Sequence, residues 1–207
     1  ETDDLTLLAS LMAYIKVISA FLFRTQGQQE YIKSDSSLDY SSDFLNMSFA
    51  NKDDKLFAKF AKVFDLILIL HADHEQNCST STVRMVGSSG ANIFASLASG
   101  INALSGPLHG GANQAVIEML ESIQKNGHSY KDIIKMAKDK ENPFKLMGFG
   151  HRVYKNFDPR SKMIKKYCDE VLSGLGKKDP LLDIAKALEE ETLKDQYFIE
   201  RKLYPNV

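Results

Sequence analysis

The 207 residues are 43% hydrophobic and 26% charged with a formal net charge of −1, the composition of a globular chain long enough for one large domain or two small ones. A charge this near neutral leaves no electrostatic footprint for nucleic acid or an anionic membrane surface. Cys78 and Cys168 stand far apart and outside any CxxC spacing, which argues against a disulfide framework and for a reducing cytoplasmic or organellar compartment.

The first element is the apolar run Leu5 to Phe23 (LTLLASLMAYIKVISAFLF). Its length would admit a membrane span, but Lys16 near its middle would cost roughly 2.5–3.5 kcal/mol in a bilayer. The acidic start Glu1-Thr2-Asp3-Asp4 is the reverse of a signal peptide's basic opening and suits a helix N-terminus. The expectation is a helix buried on most of its circumference, no membrane span, and a chain cut from something longer. Lys33 to Ser42 (KSDSSLDYSS) reads as a loop. Phe57 to Leu70 is apolar nearly all round and reads as a core helix.

Farther along, Ala112 to Gln124 places Val116, Ile117, Met119, Leu120 and Ile123 on one broad face and stops at Lys125-Asn126-Gly127. Ser129 to Lys138 is a short amphipathic helix, and Lys138 to Pro143 a loop or junction. Ser161 to Leu175 follows Asp-Pro-Arg and ends at Gly176, and Pro180 to Lys194 opens on Asp179-Pro180. No sustained period-two alternation and no Asn-Gly hairpin signal is present, so the predicted fold is all-α. A domain boundary is expected between Thr82 and Gly111.

Four of the five histidines fall in three short motifs. His71 and His74, with Asp73, Glu75 and Cys78 nearby, use zinc-compatible ligand types. No second cysteine or HExxH pattern supports a metal, so none is assigned, and a helix-end polar cluster is the plainer alternative. His109 sits between Pro107 and Gly110-Gly111 before a helix. There a neutral imidazole can donate to a developing oxyanion or enolate, or simply lie exposed in a Gly-rich turn.

The third motif is Met147 to Arg160 (MGFGHRVYKNFDPR). Gly148 and Gly150 permit close backbone approach to a ligand. Arg160 presents a fork suited to carboxylate or phosphate. The GxGxxG pattern fails at its third position, and no strand precedes it. Nothing resembles an activated serine or cysteine. Together the motifs point to acid–base chemistry on a small carboxylate-bearing molecule.

HADHEQNCSTSTVRMVGSSGAN, GPLHGGANQA and KLMGFGHRVYKNFDPRSKMIKK in this order resemble citrate synthase of the bacterial hexameric-type branch. The resemblance runs from about Asp43 to the end and more loosely before it. It implies a two-domain helical fold truncated at both ends, with residues 1–109 in the large domain and 110–207 in the small one. The implied activity is condensation of acetyl-CoA with oxaloacetate and water to citrate and CoA, in the tricarboxylic acid cycle. By the same resemblance His109 stabilises the enol of acetyl-CoA and His151 polarises the oxaloacetate carbonyl. His74 and Arg160 bind oxaloacetate, and Arg160 holds a carboxylate. The backbone around Leu146, Met147, Gly148, Phe149 and Gly150 contacts the CoA adenine, and Lys155 is a weaker candidate for its phosphates. His71 and Asn113 stand behind these residues.

The resemblance further implies no permanently bound cofactor, acetyl-CoA as co-substrate, a cytoplasmic setting, and a homo-oligomer, dimer or hexamer, when full length. The family's KLYPNV is followed at once by the aspartate that removes the methyl proton, and two further arginines come later. The 207 residues are therefore expected to be a central fragment, inactive alone. Ser105 stands where related bacterial sequences often have Trp. Two alternatives remain: 2-methylcitrate synthase, which uses propionyl-CoA, and an inactive helical metabolite-binding scaffold if the native chain ends at Val207.

Overall fold

The computed structural model describes residues 3–51, 55–73, 76–151, 154, 156–176 and 178–206. Among them are ten helices and no strand beyond one isolated bridge, Phe149 with Pro205. The all-α expectation holds. The chain divides into two compact units, Glu1–Asp73 and His74–Val207.

The first unit contains α1 (Asp4–Gln26), α2 (Tyr40–Phe49) and α3 (Phe57–Asp73). Helix α2 begins inside the polar stretch expected to be a loop. Asp39 caps it by accepting the Ser42 N–H at 2.7 Å, which satisfies a donor the first turn leaves free. Leu45, Phe57 and Ala61 form a small core, flanked by Phe44 stacked on Phe64 at 4.9 Å.

Lys16 of α1 pairs with buried Asp43 of α2 at 2.5 Å, and Asp43 also accepts from Ser34 Oγ at 2.6 Å and the Asp35 N–H at 2.8 Å. Burial alone would raise the Asp43 pKa. The bonds from Lys16, Ser34 and Asp35, with the Lys16 charge, outweigh burial and hold it below the usual carboxylate value.

Helix α1 is long and apolar enough to cross a membrane, with mean hydropathy 1.9. The expectation that it is buried on most of its circumference is corrected for this chain. Only Leu11 and Ala20 are buried, while Leu5, Met12, Tyr14, Ile18 and Leu22 are exposed. The reason is packing: its principal neighbour within the unit is α2, which covers one side only.

The second unit contains α4 (Cys78–Ser88), α5 (Ile93–Leu104), α6 (Ala112–Asn126), α7 (Tyr130–Lys138), α8 (Pro159–Leu175), α9 (Pro180–Lys194) and α10 (Gln196–Glu200). Its helix starts are written locally in the sequence. Asn77, Asn92, Ser129, Asp158, Asp179 and Asp195 each accept a first-turn N–H, an interaction worth about 1 kcal/mol per cap. Pro159 and Pro180 occupy the first helical positions, where a missing N–H costs nothing. Helices α4 and α5 pack on each other, and α9 packs on α6, α7 and α10. The core is Met119, Leu120 and Ile123 of α6, Ile133 of α7, and Ile184 and Leu188 of α9. Leu146, Met147 and Phe149 pack against it, so the segment leading to His151 is anchored on its apolar side.

Candidate active site

His109 lies in the tight turn joining α5 to α6. A Cβ on Gly110 would fall 2.2 Å from the Leu104 carbonyl oxygen, and one on Gly111 would fall 2.5 Å from that of Pro107. Only glycine fits at either position. The turn directs His109 toward the start of α4, where the Ser79 backbone N–H donates to Nε2 at 3.2 Å and Ser79 Oγ lies 2.8 Å away. With Nε2 as acceptor, the single Ser79 hydroxyl hydrogen is shared between that nitrogen and the Gly100 carbonyl at 2.9 Å. A ring nitrogen that accepts from a backbone amide carries no proton. The arrangement is therefore that of the neutral tautomer with its hydrogen on Nδ1.

His151 heads a second cluster, built around the start of α8. Its Nδ1 accepts the Tyr154 backbone N–H at 3.1 Å, which places the ring hydrogen on Nε2 when the ring is neutral. The His151 and Tyr154 rings lie 4.8 Å apart at 37°, and the Arg160 guanidinium sits 5.6 Å from the Tyr154 ring centre. Asp158 accepts from Arg160 three times: Nε at 3.0 Å, Nη2 at 2.7 Å and the backbone N–H at 3.0 Å. One carboxylate thus caps α8 and grips the arginine's fork.

The Asp158 side chain is 1% exposed and that of Arg160 11%. Burial would raise the Asp158 pKa. The Arg160 side-chain and backbone bonds, then the charges of Arg160 and His151, overcome it and hold the carboxyl below its ordinary value. In return the bond from Asp158 raises the Arg160 pKa against its own burial.

Between the core and His151, Gly148 (φ +81°) and Gly150 (φ +76°) adopt left-handed backbone. The C-terminal segment is fastened to them. The Gly150 N–H donates to the Tyr204 carbonyl at 2.7 Å, the Asn206 N–H donates to the Gly148 carbonyl at 2.9 Å, and Asn206 Nδ2 donates to the Gly150 carbonyl. The Phe157 ring packs 4.4 Å from that of Tyr204. Beside this loop lies a cavity of about 860 Å³, walled by Val116 and Ile117 of α6, Gly148, Ile164 of α8, Ala185 of α9 and Pro205. An apolar space of that size has the character of an organic-ligand pocket.

Of the residues singled out from sequence, His151 and Arg160 come together around Tyr154, and Met147 to Gly150 line the neighbouring cavity. Leu146 packs inward on the core. His109 makes its contacts with α4. His71 donates from Nδ1 to the Ile67 carbonyl of its own helix at 2.7 Å, and Asn113 lines the cavity. His74 and Lys155 lie outside the described residues. No cluster of metal-ligating side chains is present among the described residues. Ser79, Tyr154, Asp158 and Asn206 carry contacts that sequence reasoning did not assign. Only Asp158 left a local signal, an N-cap residue before Pro with an arginine two positions on.

Comparison with known proteins places this geometry in a lineage. The family model described as citrate synthase, C-terminal domain, matches residues 1–207. Citrate synthase 1 of Mycobacterium tuberculosis is 52% identical over 199 residues, covering 95% of this chain and 46% of that protein. The crystal structure of citrate synthase from Pyrobaculum aerophilum superposes with a TM-score of 0.81 at 40% identity, over 95% of this chain and 47% of that one. The ternary complex of carboxymethyl coenzyme A and oxaloacetate with citrate synthase from Thermoplasma acidophilum has a TM-score of 0.78 at 28% identity, over 97% of this chain and 51% of its own. The chain spans about half the length of the curated relatives it matches. Matched along its whole length by the family's model, and sharing its fold with solved members, the chain belongs to the citrate synthase family.

Proposed function

We propose that the protein carrying this chain condenses acetyl-CoA with oxaloacetate and water to give citrate and CoA. The observation that carries this reading is the His151–Tyr154–Asp158–Arg160 cluster, built beside a glycine-opened loop that borders a large apolar cavity. It supplies a ring N–H donor and a fixed cation close together, as a ketone flanked by carboxylates requires.

The thioester methyl is a weak carbon acid, so enolisation needs a base and a donor already aimed at the oxygen that gains charge. His109, with Nε2 committed to the Ser79 N–H, offers Nδ1–H for that oxygen. His151 offers Nε2–H to the ketone oxygen of oxaloacetate, drawing electrons from the carbon that the enol attacks. Arg160 holds a carboxylate with the guanidinium edge that Asp158 does not occupy, and His74 belongs to the same oxaloacetate site.

The adenine end of CoA lies along Leu146 to Gly150, with its phosphates toward Lys155. The reading extends to a division between residues 1–109 and 110–207, closure of two domains over the substrates to exclude water, a cytoplasmic homo-oligomer, and no resident cofactor.

The test is release of free CoA thiol by the full-length protein supplied with acetyl-CoA and oxaloacetate. Thiol release that depends on oxaloacetate and yields citrate supports the reading. Release without oxaloacetate, or none, defeats it.

A further inference from the structure

Three independent features meet at Tyr154. Its backbone N–H donates to His151 Nδ1 at 3.1 Å, its ring lies 4.8 Å from the His151 ring, and the same ring lies 5.6 Å from the Arg160 guanidinium. Arg160 is already fixed on one flank, because nearly fully buried Asp158 holds Nε and Nη2. What remains to be set is the tilt of the guanidinium and the plane of the imidazole. The Tyr154 ring touches both.

We propose that Tyr154 is a positioning residue whose ring sets His151 Nε2–H and the open edge of Arg160 relative to each other. This rests on the reading above, in which those two groups bind the oxo acid. Aromatic faces attract a guanidinium with a preferred approach, and a flat ring restricts a neighbouring imidazole to a few tilts. A carbonyl donor and a carboxylate cation are useful only at the separation of the two groups on one substrate, and misplacement by about 1 Å costs on the order of 10²-fold in rate. The Tyr154 ring contacts both groups.

The test uses the full-length protein with Tyr154→Ala and Tyr154→Phe. Tyr154→Ala is expected to lower kcat/KM for oxaloacetate by about 10- to 100-fold, with KM for acetyl-CoA and thermal midpoint little changed. Tyr154→Phe keeps the ring and is expected to stay within about threefold of wild type. The proposal is overturned if Tyr154→Ala leaves oxaloacetate kinetics unchanged, if it raises both KM values equally, or if Phe fails to rescue.

A second readout separates this from the functional reading. Long-range ¹H–¹⁵N spectra report the tautomer and environment of His151 without turnover. Imidazole shifts that move in Tyr154→Ala but not Tyr154→Phe support the positioning role even in a protein that makes no citrate. Shifts unchanged in Tyr154→Ala overturn it even in one that does.

Discussion

Replacing Asp158 by alanine removes three acceptor contacts at once: those to Arg160 Nε, Nη2 and backbone N–H. The pair is buried, with side-chain exposures of 1% for Asp158 and 11% for Arg160. Removing one partner of a buried pair leaves the other as an uncompensated charge, at a cost of roughly 3–5 kcal/mol. About 1 kcal/mol of that is the lost cap of α8. Asp158→Asn keeps a cap acceptor and forfeits the charge, so a smaller loss of about 1.5–3 kcal/mol is expected. The double variant Asp158→Ala/Arg160→Met leaves no buried charge and should be more stable than Asp158→Ala alone.

Urea unfolding followed by circular dichroism reads all three. The Asp158 carboxyl has a lowered pKa when folded, so its stabilisation is present in full above its unfolded value and fades as pH falls through the folded one. The gap between wild type and Asp158→Asn should therefore hold steady above about pH 5 and narrow below about pH 4. A loss under about 1 kcal/mol for Asp158→Ala, or additive effects in the double variant, would refute this account of the pair.

Two further outcomes follow from the loops. Gly150→Ala puts a Cβ at φ +76° and 3.0 Å from Leu203 Cδ2, so it should cost about 1–2 kcal/mol in stability and weaken acetyl-CoA binding measured by calorimetry; unchanged affinity would separate the loop from the CoA site. Ser79→Ala keeps the backbone donor to His109 and deletes the Oγ contact at 2.8 Å, so kcat should fall about tenfold, the equivalent of one hydrogen bond of roughly 1–1.5 kcal/mol. A wild-type kcat would remove Ser79 from the alignment of His109.

The helix starts at Asp158-Pro159 and Asp179-Pro180 and the stop at Gly127 were legible because their chemistry is local: a side-chain acceptor, a preset φ, and a residue that tolerates left-handed backbone. Helix α2 was not, because Tyr40, Ser41 and Ser42 read as loop residues, and what holds them is Asp39 together with Asp65, which accepts from Ser41 Oγ at 3.0 Å. The apolarity of α1 was read as burial, yet composition states only that a face avoids water, not that this chain covers it.

The histidines were visible as motifs. Their tautomers were not, since these depend on Ser79, thirty residues before His109, and on the turn that brings the Tyr154 N–H back to His151. Contacts of this kind leave no periodicity in a sequence. The assignment of roles came from family resemblance. The geometry adds which nitrogen of each ring accepts a backbone N–H.

The most direct measurement of the central claim is thiol release from acetyl-CoA in the presence of oxaloacetate, with citrate quantified, for the full-length protein and for its His109→Ala and His151→Ala variants. The account predicts citrate from the wild type and a fall in kcat of at least about 10²-fold in each variant, with both still folded by circular dichroism. Near-wild-type turnover in either variant would contradict it.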